Sequence, residues 1–568
     1  MHPSLAAALL LTLCTLARSQ AAQPVPCRLY LQPDLLSPAG FAAATNLLVR
    51  AAGEGYTGII LASSRTMRAD LLPAAYRTHC LAFRELCRQL HLDLVVAVMP
   101  IGYSNSLLSR DPNLAEGLPV RNAPFIVRNG VLAPDDPIAF PNGGFDAVED
   151  NDDDTPAFWT LIDQPGRLCT MDTGTVFRGR ASLRMQDVAL HEPRHRHARV
   201  GRTLHLAPFR SYRLSVAVKT RDWTGGDNRI AVLVGARSLC FETPDIRPTQ
   251  DWRRISVVFN TLDASTVKLI LGTWAGNTGT IWWDDVTIEP AGFVNILRRD
   301  GTPLTLTDET GHVTYEEGRD IGPVRDPKLG NDPWAGDYTS WHDTPAVRVL
   351  PGGRLREGQR VLASYYQPAV IYQGQVSCCL NAPALYDLLR RQVTWVHDTL
   401  APDGYLMSHD EIRTQGWDAS CEKTSFTPAQ SLADNMRRCI AMIRQLSPDT
   451  TLYLWSDMFD PTHNARRSGA YFLVKGDGPW YGSWRSLPPD IVVVNWQFDP
   501  KTRRDSLRHF SDLGHRQILA GYYDGDPRMI TGWLKDAAGL PGIDSALYTT
   551  WQGNYTHTRA FLEAARRQ

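Results

Sequence analysis

The sequence predicts an α/β protein whose main domain is a TIM-type (β/α)8 barrel interrupted by an inserted all-β sandwich. Three observations predict it. Short apolar runs alternate with helical patterns in the first and last parts of the chain, as expected for βα units and a parallel sheet. Near residue 140 this pattern changes to short alternating segments without long helical patterns. Polar and aromatic residues recur where the apolar runs end, as at the active-site face of such barrels.

The barrel begins with three predicted strands, which are CRLYLQ at 27–32, TGIILAS at 57–63 and LDLVVAVMPIG at 92–102. Between the second and third runs, Leu81, Leu86 and Leu90 recur among polar residues. This spacing predicts an amphipathic helix over 76–91.

The inserted region opens with FPNGGFDAVEDNDDDTPAFW and contains five further strand candidates. They are YRLSVAVKT at 212–220, RIAVLVG at 229–235, WRRISVVFNT at 252–261, TVKLILGTW at 266–274 and GTIWWDDVTIE at 279–289. Their spacing is typical of a two-sheet sandwich. We therefore expect a separate module of about 150 residues, a usual domain size.

The α/β pattern resumes after a loop rich in Gly, Pro and Asp. The later strand candidates are RVLASYYQ at 360–367, GYLM at 404–407, TLYLWSD at 451–457, IVVVNW at 491–496, QILAGYYD at 517–524 and ALYTTW at 546–551. With the three early runs they make nine candidates for the eight places of a barrel. One of them, an early run or 360–367, is therefore expected to be an accessory strand.

The predicted domain bounds follow from these changes of pattern. We expect a signal peptide at 1–22, the first part of the barrel at 23–138, the sandwich at 139–290, a hairpin and loop connection at 291–359, and the second part of the barrel at 360–568. The signal peptide rests on an apolar run from Leu5 to Ala17 followed by small residues. It predicts a secreted or periplasmic protein.

The composition and net charge limit the classes of partner that we expect. The formal net charge is −1, from 59 basic and 60 acidic residues, which gives no bulk electrostatic reason to expect a nucleic acid or an anionic membrane. No later apolar stretch reaches membrane-spanning length. Of the ten cysteines, Cys14 would leave with the signal peptide, and the remaining nine show no CxxC pair that would indicate a zinc site.

The candidate site lies at the predicted strand ends, where the sequence places carboxylates beside aromatic rings. The residues are His409, Asp410 and Glu411, then Trp455 and Asp457, then Trp496, then Tyr522 and Asp524, and finally Trp551. Aromatic rings stack on the apolar faces of sugars and carboxylates bind hydroxyls or move protons, so the mixture favours an oligosaccharide or polysaccharide substrate. Asp410 and Glu411 are the predicted catalytic pair, because glycoside cleavage needs two carboxyl groups.

The inserted region resembles the jelly-roll carbohydrate-binding modules carried by polysaccharide-degrading enzymes. The resemblance rests on NGGFD at 142–146, GRASLRM at 179–185, YRLSVAVKT and WWDDVTI at 282–288. It implies a sandwich of the jelly-roll type and a structural calcium held by Asp146 and Asp285. Capping of sheet edges by these two carboxylates is the alternative.

The second part of the barrel resembles the β-N-acetylhexosaminidases of glycoside hydrolase family 20. The resemblance covers about residues 383–551 and rests on PALYDLLRRQVTWVHDTLAPDGYLMSHDE, LYLWSDMF, VVVNW, GYYD and TTW. It implies that Glu411 is the general acid and that Asp410 orients the 2-acetamido group of the substrate, which acts as the nucleophile. No cofactor is implied for catalysis.

The same resemblance implies substrate-binding roles for other strand ends. Tyr522 would bind the acetamido oxygen and Asp524 a sugar hydroxyl, while Trp455, Trp496 and Trp551 would wall the pocket. The chain departs from the family at the first three strand ends, which read LQPD, LASSR and MPIGYS. Two alternatives stay open: a conventional retaining glycosidase that uses Glu411 and Asp457 on unacetylated sugars, and a catalytically silent carbohydrate-binding protein.

Overall fold

Eight parallel strands close into a barrel in the order in which they occur along the chain. The computed structural model describes residues 25–149, 155–164, 166–242, 244–371 and 374–566, so the predicted signal peptide lies outside the described residues. The barrel strands are β1 (Cys27–Leu31), β2 (Gly58–Leu61), β3 (Asp93–Val98), β4 (Gly404–Met407), β5 (Thr451–Trp455), β6 (Val492–Asn495), β7 (Gln517–Ala520) and β8 (Ile543–Tyr548). The closed parallel barrel confirms the coarse α/β prediction.

Helices connect most of the barrel strands and cover the outside of the barrel. The main helices are Pro38–Glu54, Ala74–Gln89, Pro383–Leu400, Pro428–Leu446, Arg503–Asp512, Met529–Ala537 and Thr558–Arg566. Shorter helices are Asn105–Leu108, Val188–His191 and Ala419–Thr424, with 3-10 turns at Ser64–Leu71, Pro112–Leu114, Asp457–Phe459 and Ser483–Ser486. Proline at the first position and a capping box between Thr427 and Gln430 begin the helix Pro428–Leu446.

The sequence located the helix Ala74–Gln89 better than it located the buried face of this helix. In Pro383–Leu400, residues at spacings of three and four, from Leu385 to Leu400, form the buried face. In Ala74–Gln89 the buried face carries Tyr76, Cys80 and Phe83 instead, and Leu81 is exposed. At this helix, aromatic and cysteine side chains therefore pack against the barrel in place of the leucines.

Two five-stranded antiparallel sheets form the sandwich and share one hydrophobic core. One sheet has the order Gln250–Asn260, Ser211–Arg221, Thr280–Pro290, Ser182–Gln186 and Cys169–Asp172. The other has the order Arg237–Glu242, Gly225–Val234, Thr266–Gly276, Ala198–His205 and Thr160–Leu161. All five strands that the sequence predicted in this region are present.

A third five-stranded sheet lies outside the barrel and the sandwich and was not predicted. Its order is Thr305–Thr307, Arg360–Pro368, Gly117–Arg128, Val131–Pro134 and Val347–Arg348. Residues 117–134 and 360–368, which the predicted bounds assign to the barrel, are strands of this sheet. The ninth strand candidate, 360–367, is therefore the accessory one. A small parallel pair, Thr414–Gln415 with Leu473–Val474, completes the described sheets.

Among the residues that the structure describes, no helix combines the length and apolar character needed to cross a bilayer.

Candidate active site

A cavity of about 820 Å³ lies at the carboxyl end of the barrel, and every barrel strand or the segment after it contributes to its wall. Residues lining it include Tyr30, Gln32, Asp34, Ser63, Arg65, Pro100, Tyr103, Ser408, Asp410, Glu411, Trp455, Trp496, Tyr523 and Trp551. Of the nine predicted site residues in the barrel, five line this cavity: Asp410, Glu411, Trp455, Trp496 and Trp551.

The chain turns sharply at the Asp410–Glu411 pair. β4 ends at Met407, and Glu411 has a φ of 47°, in the left-handed region that side chains other than glycine seldom adopt. The turn lets two adjacent side chains face one cavity, which a regular strand forbids. Gly102 packs beneath it, because a Cβ atom there would lie only 1.7 Å from the carbonyl oxygen of Asp410.

Glu411 is held on both of its carboxylate oxygens. The Tyr103 hydroxyl donates to Oε2 at 2.5 Å, and Arg413 Nη2 forms an ion pair with Oε1 at 2.6 Å. Arg413 also donates to the Tyr103 hydroxyl at 3.2 Å and to the side chain of Gln375. Glu411 is thus arranged as a hydrogen-bond acceptor with a fixed orientation.

Asp457 lies below the pair and is fully buried. Its carboxylate accepts from the backbone N–H of Glu411 at 2.8 Å, from Asn464 at 2.9 Å and from the Trp496 indole at 3.1 Å. It does not line the cavity, so its observed contacts are with the protein and not with a substrate. Its geometry positions Glu411 and Trp496.

The electrostatic environment separates the two catalytic candidates. Burial, and after it the negative charge of Asp457, raises the pKa of Asp410 well above the ordinary carboxyl value. Burial likewise raises the pKa of Asp457. Because Glu411 is the carboxylate that receives the arginine and the tyrosine hydroxyl, Asp410 is the member of the pair whose surroundings favour a bound proton.

Aromatic rings form one wall of the cavity. Tyr30 lies 5.3 Å from Trp551 and 5.8 Å from Trp455 between ring centroids, and Trp455 lies 6.1 Å from Trp551. Tyr523 contacts Trp551 at 6.3 Å. Trp551 is 43% exposed, whereas Trp455 is almost fully buried. Trp551 therefore offers a much more accessible ring face to a ligand than Trp455 does.

Two predicted site residues at the end of β7 lie outside the cavity lining. Tyr522 is buried and stacks on Tyr548 at 4.1 Å, so the neighbouring Tyr523 lines the cavity in its place. Asp524 accepts from the hydroxyl of Thr550 and from the backbone N–H of Trp551 at 2.7 Å. Its carboxylate holds the loop that carries Trp551 and is not among the groups lining the cavity, so the expected contact with a sugar hydroxyl stays a prediction.

His409 also lies away from the cavity. It is completely buried, and its Nε2 shares a hydrogen bond of 2.8 Å with the side-chain oxygen of Asn435. Burial lowers the pKa of His409 to about 4, so the ring is neutral at ordinary pH. His409, a candidate site residue, instead anchors the loop after β4 to the helix Pro428–Leu446.

The two carboxylates expected to hold calcium in the sandwich, Asp146 and Asp285, face different segments. Asp146 accepts backbone N–H groups of Arg180 and Ala181. Asp285 forms an ion pair with Arg254 on the outside, and the preceding Asp284 faces the same segment, accepting from the backbone of residues 177 and 178. The structure therefore does not bring Asp285 together with Asp146, whereas Asp284 and Asp146 contact the same segment, residues 177–181.

Sequence reasoning assigned no role to four residues of the site: Tyr30, Tyr103, Arg413 and Tyr523. Each lies in or beside a predicted strand end, since Tyr30 belongs to CRLYLQ, Tyr103 belongs to MPIGYS, Arg413 follows Glu411 by two positions, and Tyr523 is the middle residue of YYD. The departures at the first three strand ends were themselves a signal, because LQPD, LASSR and MPIGYS all contribute side chains to the cavity.

Comparisons with known proteins found solved structures that cover about a quarter of the chain. No protein-family profile and no curated protein matches the chain. Solved structures similar to it include the carbohydrate-binding module CBM61 in complex with β-1,4-galactotriose, at 12% identity and a TM-score of 0.21, covering 27% of this chain and 99% of that one. A xylan-binding CBM22 domain from Paenibacillus barcinonensis matches at 12% identity and a TM-score of 0.20, covering 26% and 91%. The function therefore rests on the geometry of the site.

Proposed function

We propose that this protein is an exported glycoside hydrolase that acts on a neutral oligosaccharide or polysaccharide. The observation that carries the proposal is the pairing of Asp410 and Glu411 in a single cavity walled by Trp455, Trp496 and Trp551. A proton donor beside an ionised carboxylate is what cleavage of a glycosidic bond requires.

The lining of the cavity supports a sugar over a phosphate or a charged ligand. Stacked and tilted aromatic rings bind the C–H faces of pyranose rings, while the carboxyl groups bind hydroxyls. Arg65, the one cation among the lining residues that the structure describes, forms an ion pair with Asp34 at 3.0 Å. No free positive charge from these lining residues is thus directed at an anionic group.

The substrate-assisted mechanism of hexosaminidases is the first candidate for the chemistry. In it the 2-acetamido group of the sugar attacks the anomeric carbon, one carboxyl group donates a proton to the leaving oxygen, and the other stabilises the acetamido group. Such an enzyme would act on N-acetylhexosaminides and retain the anomeric configuration. The barrel is then a TIM-type (β/α)8 barrel of the hexosaminidase kind.

The contacts of Glu411 favour a different division of roles from the one that the resemblance implies. Tyr103 and Arg413 stabilise Glu411 as a carboxylate, and the surroundings of Asp410 favour its protonated form. We assign Asp410 as the proton donor and Glu411 as the group that supports positive charge at the sugar. Glu411 would be the nucleophile in a conventional retaining enzyme, and it would stabilise the acetamido group in a substrate-assisted one.

The sandwich has a supporting role in this proposal. It would be a jelly-roll carbohydrate-binding module inserted in the barrel, which holds the enzyme on a polymer. If calcium binds there, Asp146 and Asp284 are the carboxylates that could hold it, and the ion would fix the segment between Phe177 and Ala181.

Hydrolysis of aryl glycosides tests the function and the roles together. Wild type, Asp410→Asn and Glu411→Gln are assayed on N-acetylated and unacetylated glycosides with good and poor leaving groups, and the surface variant Asp505→Asn is the control. We expect both site variants to lose about 100-fold or more in kcat. The fall in kcat of Asp410→Asn should be smaller for substrates with a good leaving group, because such a group needs little protonation. The fall in kcat of Glu411→Gln should be the same on all substrates.

The substrate pattern separates the mechanisms. Turnover of acetylated glycosides alone supports the substrate-assisted mechanism, and turnover of unacetylated ones supports a covalent intermediate on Glu411. Absence of turnover on every glycoside, together with binding of polysaccharide by the intact protein, would contradict the hydrolase and favour a carbohydrate-binding protein.

A further inference from the structure

Outside the cavity, four buried side chains bring metal-binding atoms together. They are Glu116, Cys379, Asp418 and Cys421, and their ligand atoms all lie within 4.8 Å of one another. Glu116 directly precedes the third-sheet strand Gly117–Arg128, and Cys379 precedes the helix Pro383–Leu400. Asp418 and Cys421 lie at the start of the helix Ala419–Thr424, at the end of the loop that carries Glu411.

Three of the six separations between the candidate ligand atoms match those of a tetrahedral zinc site. The two sulfur atoms lie 3.8 Å apart, Cys421 Sγ lies 3.4 Å from a Glu116 oxygen, and Cys379 Sγ lies 3.5 Å from an Asp418 oxygen. With Zn–S bonds near 2.3 Å and Zn–O bonds near 2.0 Å, a tetrahedron has S···S edges of about 3.8 Å and S···O edges of about 3.5 Å. The three observed distances fit these edges.

Surrounding groups orient the candidate ligands, as they do at established metal sites. Gln415 and Asn381 donate amide N–H groups to Cys421 Sγ at 3.1 and 3.2 Å. The backbone N–H of Trp417 donates to Glu116 at 2.8 Å, and that of Cys421 donates to Asp418 at 3.1 Å. Such donors favour charged sulfur and oxygen, the forms that bind a metal.

The charge balance permits a cation. The carboxylates of Glu116 and Asp418 are buried together, and Arg299 pairs with Asp418. With both carboxylates ionised and both thiols protonated, these groups and Arg299 carry one net negative charge. A divalent cation that replaces the two thiol protons leaves this net charge unchanged and pairs directly with the buried anions, which lowers the cost of burying them.

We propose that Glu116, Cys379, Asp418 and Cys421 bind one zinc-like divalent cation with a structural role. Both thiols would release their protons to solvent on binding, and each sulfur would form one bond to the metal. With four protein ligands the site is closed to substrate, which is typical of structural zinc. The ion would tie the loop bearing Glu411 to the third sheet and to the segment that contains Gln375, whose side chain donates to the Glu411 carbonyl at 3.1 Å.

Metal content of the full-length protein tests the proposal directly. The reduced protein is equilibrated with Zn²⁺, separated from unbound metal and analysed by elemental mass spectrometry. We expect one zinc per wild-type chain and loss of that zinc in Cys379→Ser and in Cys421→Ser. Cys87→Ser, which changes another buried thiol far from these ligands in the sequence, is the matched control and should keep the metal.

A second measurement on wild type covers the case in which the variants fail to fold. Co²⁺ in place of zinc should give the thiolate-to-cobalt charge-transfer absorption of a two-sulfur site, and a chelator should remove the absorption and lower Tm. Either of two results would overturn the proposal. One is the absence of stoichiometric metal from folded, reduced protein. The other is a metal-free protein whose mass is lower by two hydrogens, as a Cys379–Cys421 disulfide would make it.

Discussion

The backbone N–H of Glu411 and the carboxylate of Asp457 are joined by a hydrogen bond of 2.8 Å between adjacent strand ends. Asp457 thereby fixes the turn at Glu411, and it also accepts from Asn464 and Trp496. We expect Asp457→Ala to leave three partly buried donors without an acceptor and to lower the free energy of unfolding by about 3 kcal/mol. Urea denaturation measures this change. Asp505→Ala on the surface should change it by less than about 0.5 kcal/mol, and an equal effect of the two variants would contradict the positioning role.

Tyr103→Phe removes one hydroxyl that donates to Glu411 and leaves the ring in place. A hydrogen bond to a charged group is worth about 1.5–3 kcal/mol, so we expect kcat to fall by roughly 10- to 150-fold with little change in KM. Steady-state kinetics on the aryl glycoside that wild type hydrolyses fastest measures kcat and KM separately. Tyr481→Phe, an exposed tyrosine outside the cavity, is the control. A rise in KM at constant kcat would assign Tyr103 to substrate binding instead.

The raised pKa of Asp410 predicts a pH dependence of stability. A carboxyl group that holds its proton more tightly in the folded chain contributes fully below the ordinary pKa of about 4, and this contribution is lost as the pH rises through the raised value. The wild-type protein should therefore lose more stability between pH 5 and pH 8 than the Asp410→Asn variant does. These pH values lie about one unit and about four units above the ordinary carboxyl pKa. Urea midpoints at the two pH values give the comparison.

The control for this pH experiment is Asp505→Asn, which should keep the wild-type difference because its side chain is exposed. Equal losses in wild type and Asp410→Asn would show that Asp410 is already ionised in the folded protein at the lower pH. That result would also remove the reason for assigning Asp410 as the proton donor.

Trp551 and Trp455 line the same cavity but differ in burial. Trp551→Ala should weaken substrate binding by roughly tenfold while leaving Tm nearly unchanged, because 43% of the side chain is exposed. Trp455→Ala should destabilise the fold by about 3–5 kcal/mol, since its ring is buried. Isothermal titration with an oligosaccharide and thermal unfolding of both variants test the difference. Loss of stability without loss of binding in Trp551→Ala would contradict its role as a binding platform.

Much of the barrel could be predicted because buried parallel strands are apolar on both faces. TLYLW at β5 and IVVVN at β6 are continuous apolar runs that few other elements produce. The third sheet could not be recognised in the same way. Its pairing joins Gly117–Arg128 with Arg360–Pro368, and the whole sandwich lies between them in sequence. The residues of either strand alone do not indicate which strand it pairs with.

The sequence predicted strand ends that contribute to the candidate site. It did not always predict which residue of a strand end faces the cavity. In GYYD, two adjacent tyrosines point to opposite sides, and a shift of one position exchanges the buried ring of Tyr522 for the exposed ring of Tyr523. His409 and Asp524 are polar residues at strand ends, as active-site residues are. Their partners, Asn435 and the loop at Thr550, belong to other segments, so their structural use was not visible from the sequence.

The pairing of β3 with β4 has a consequence for synthesis on the ribosome. Asp93–Val98 finds its neighbour, Gly404–Met407, only after the sandwich and the third sheet have been translated. Until then one edge of a buried, apolar strand has no partner and offers free backbone groups to any other chain. The nascent protein thus has a long interval in which aggregation competes with folding, and early folding of the sandwich as an independent unit would limit that exposure.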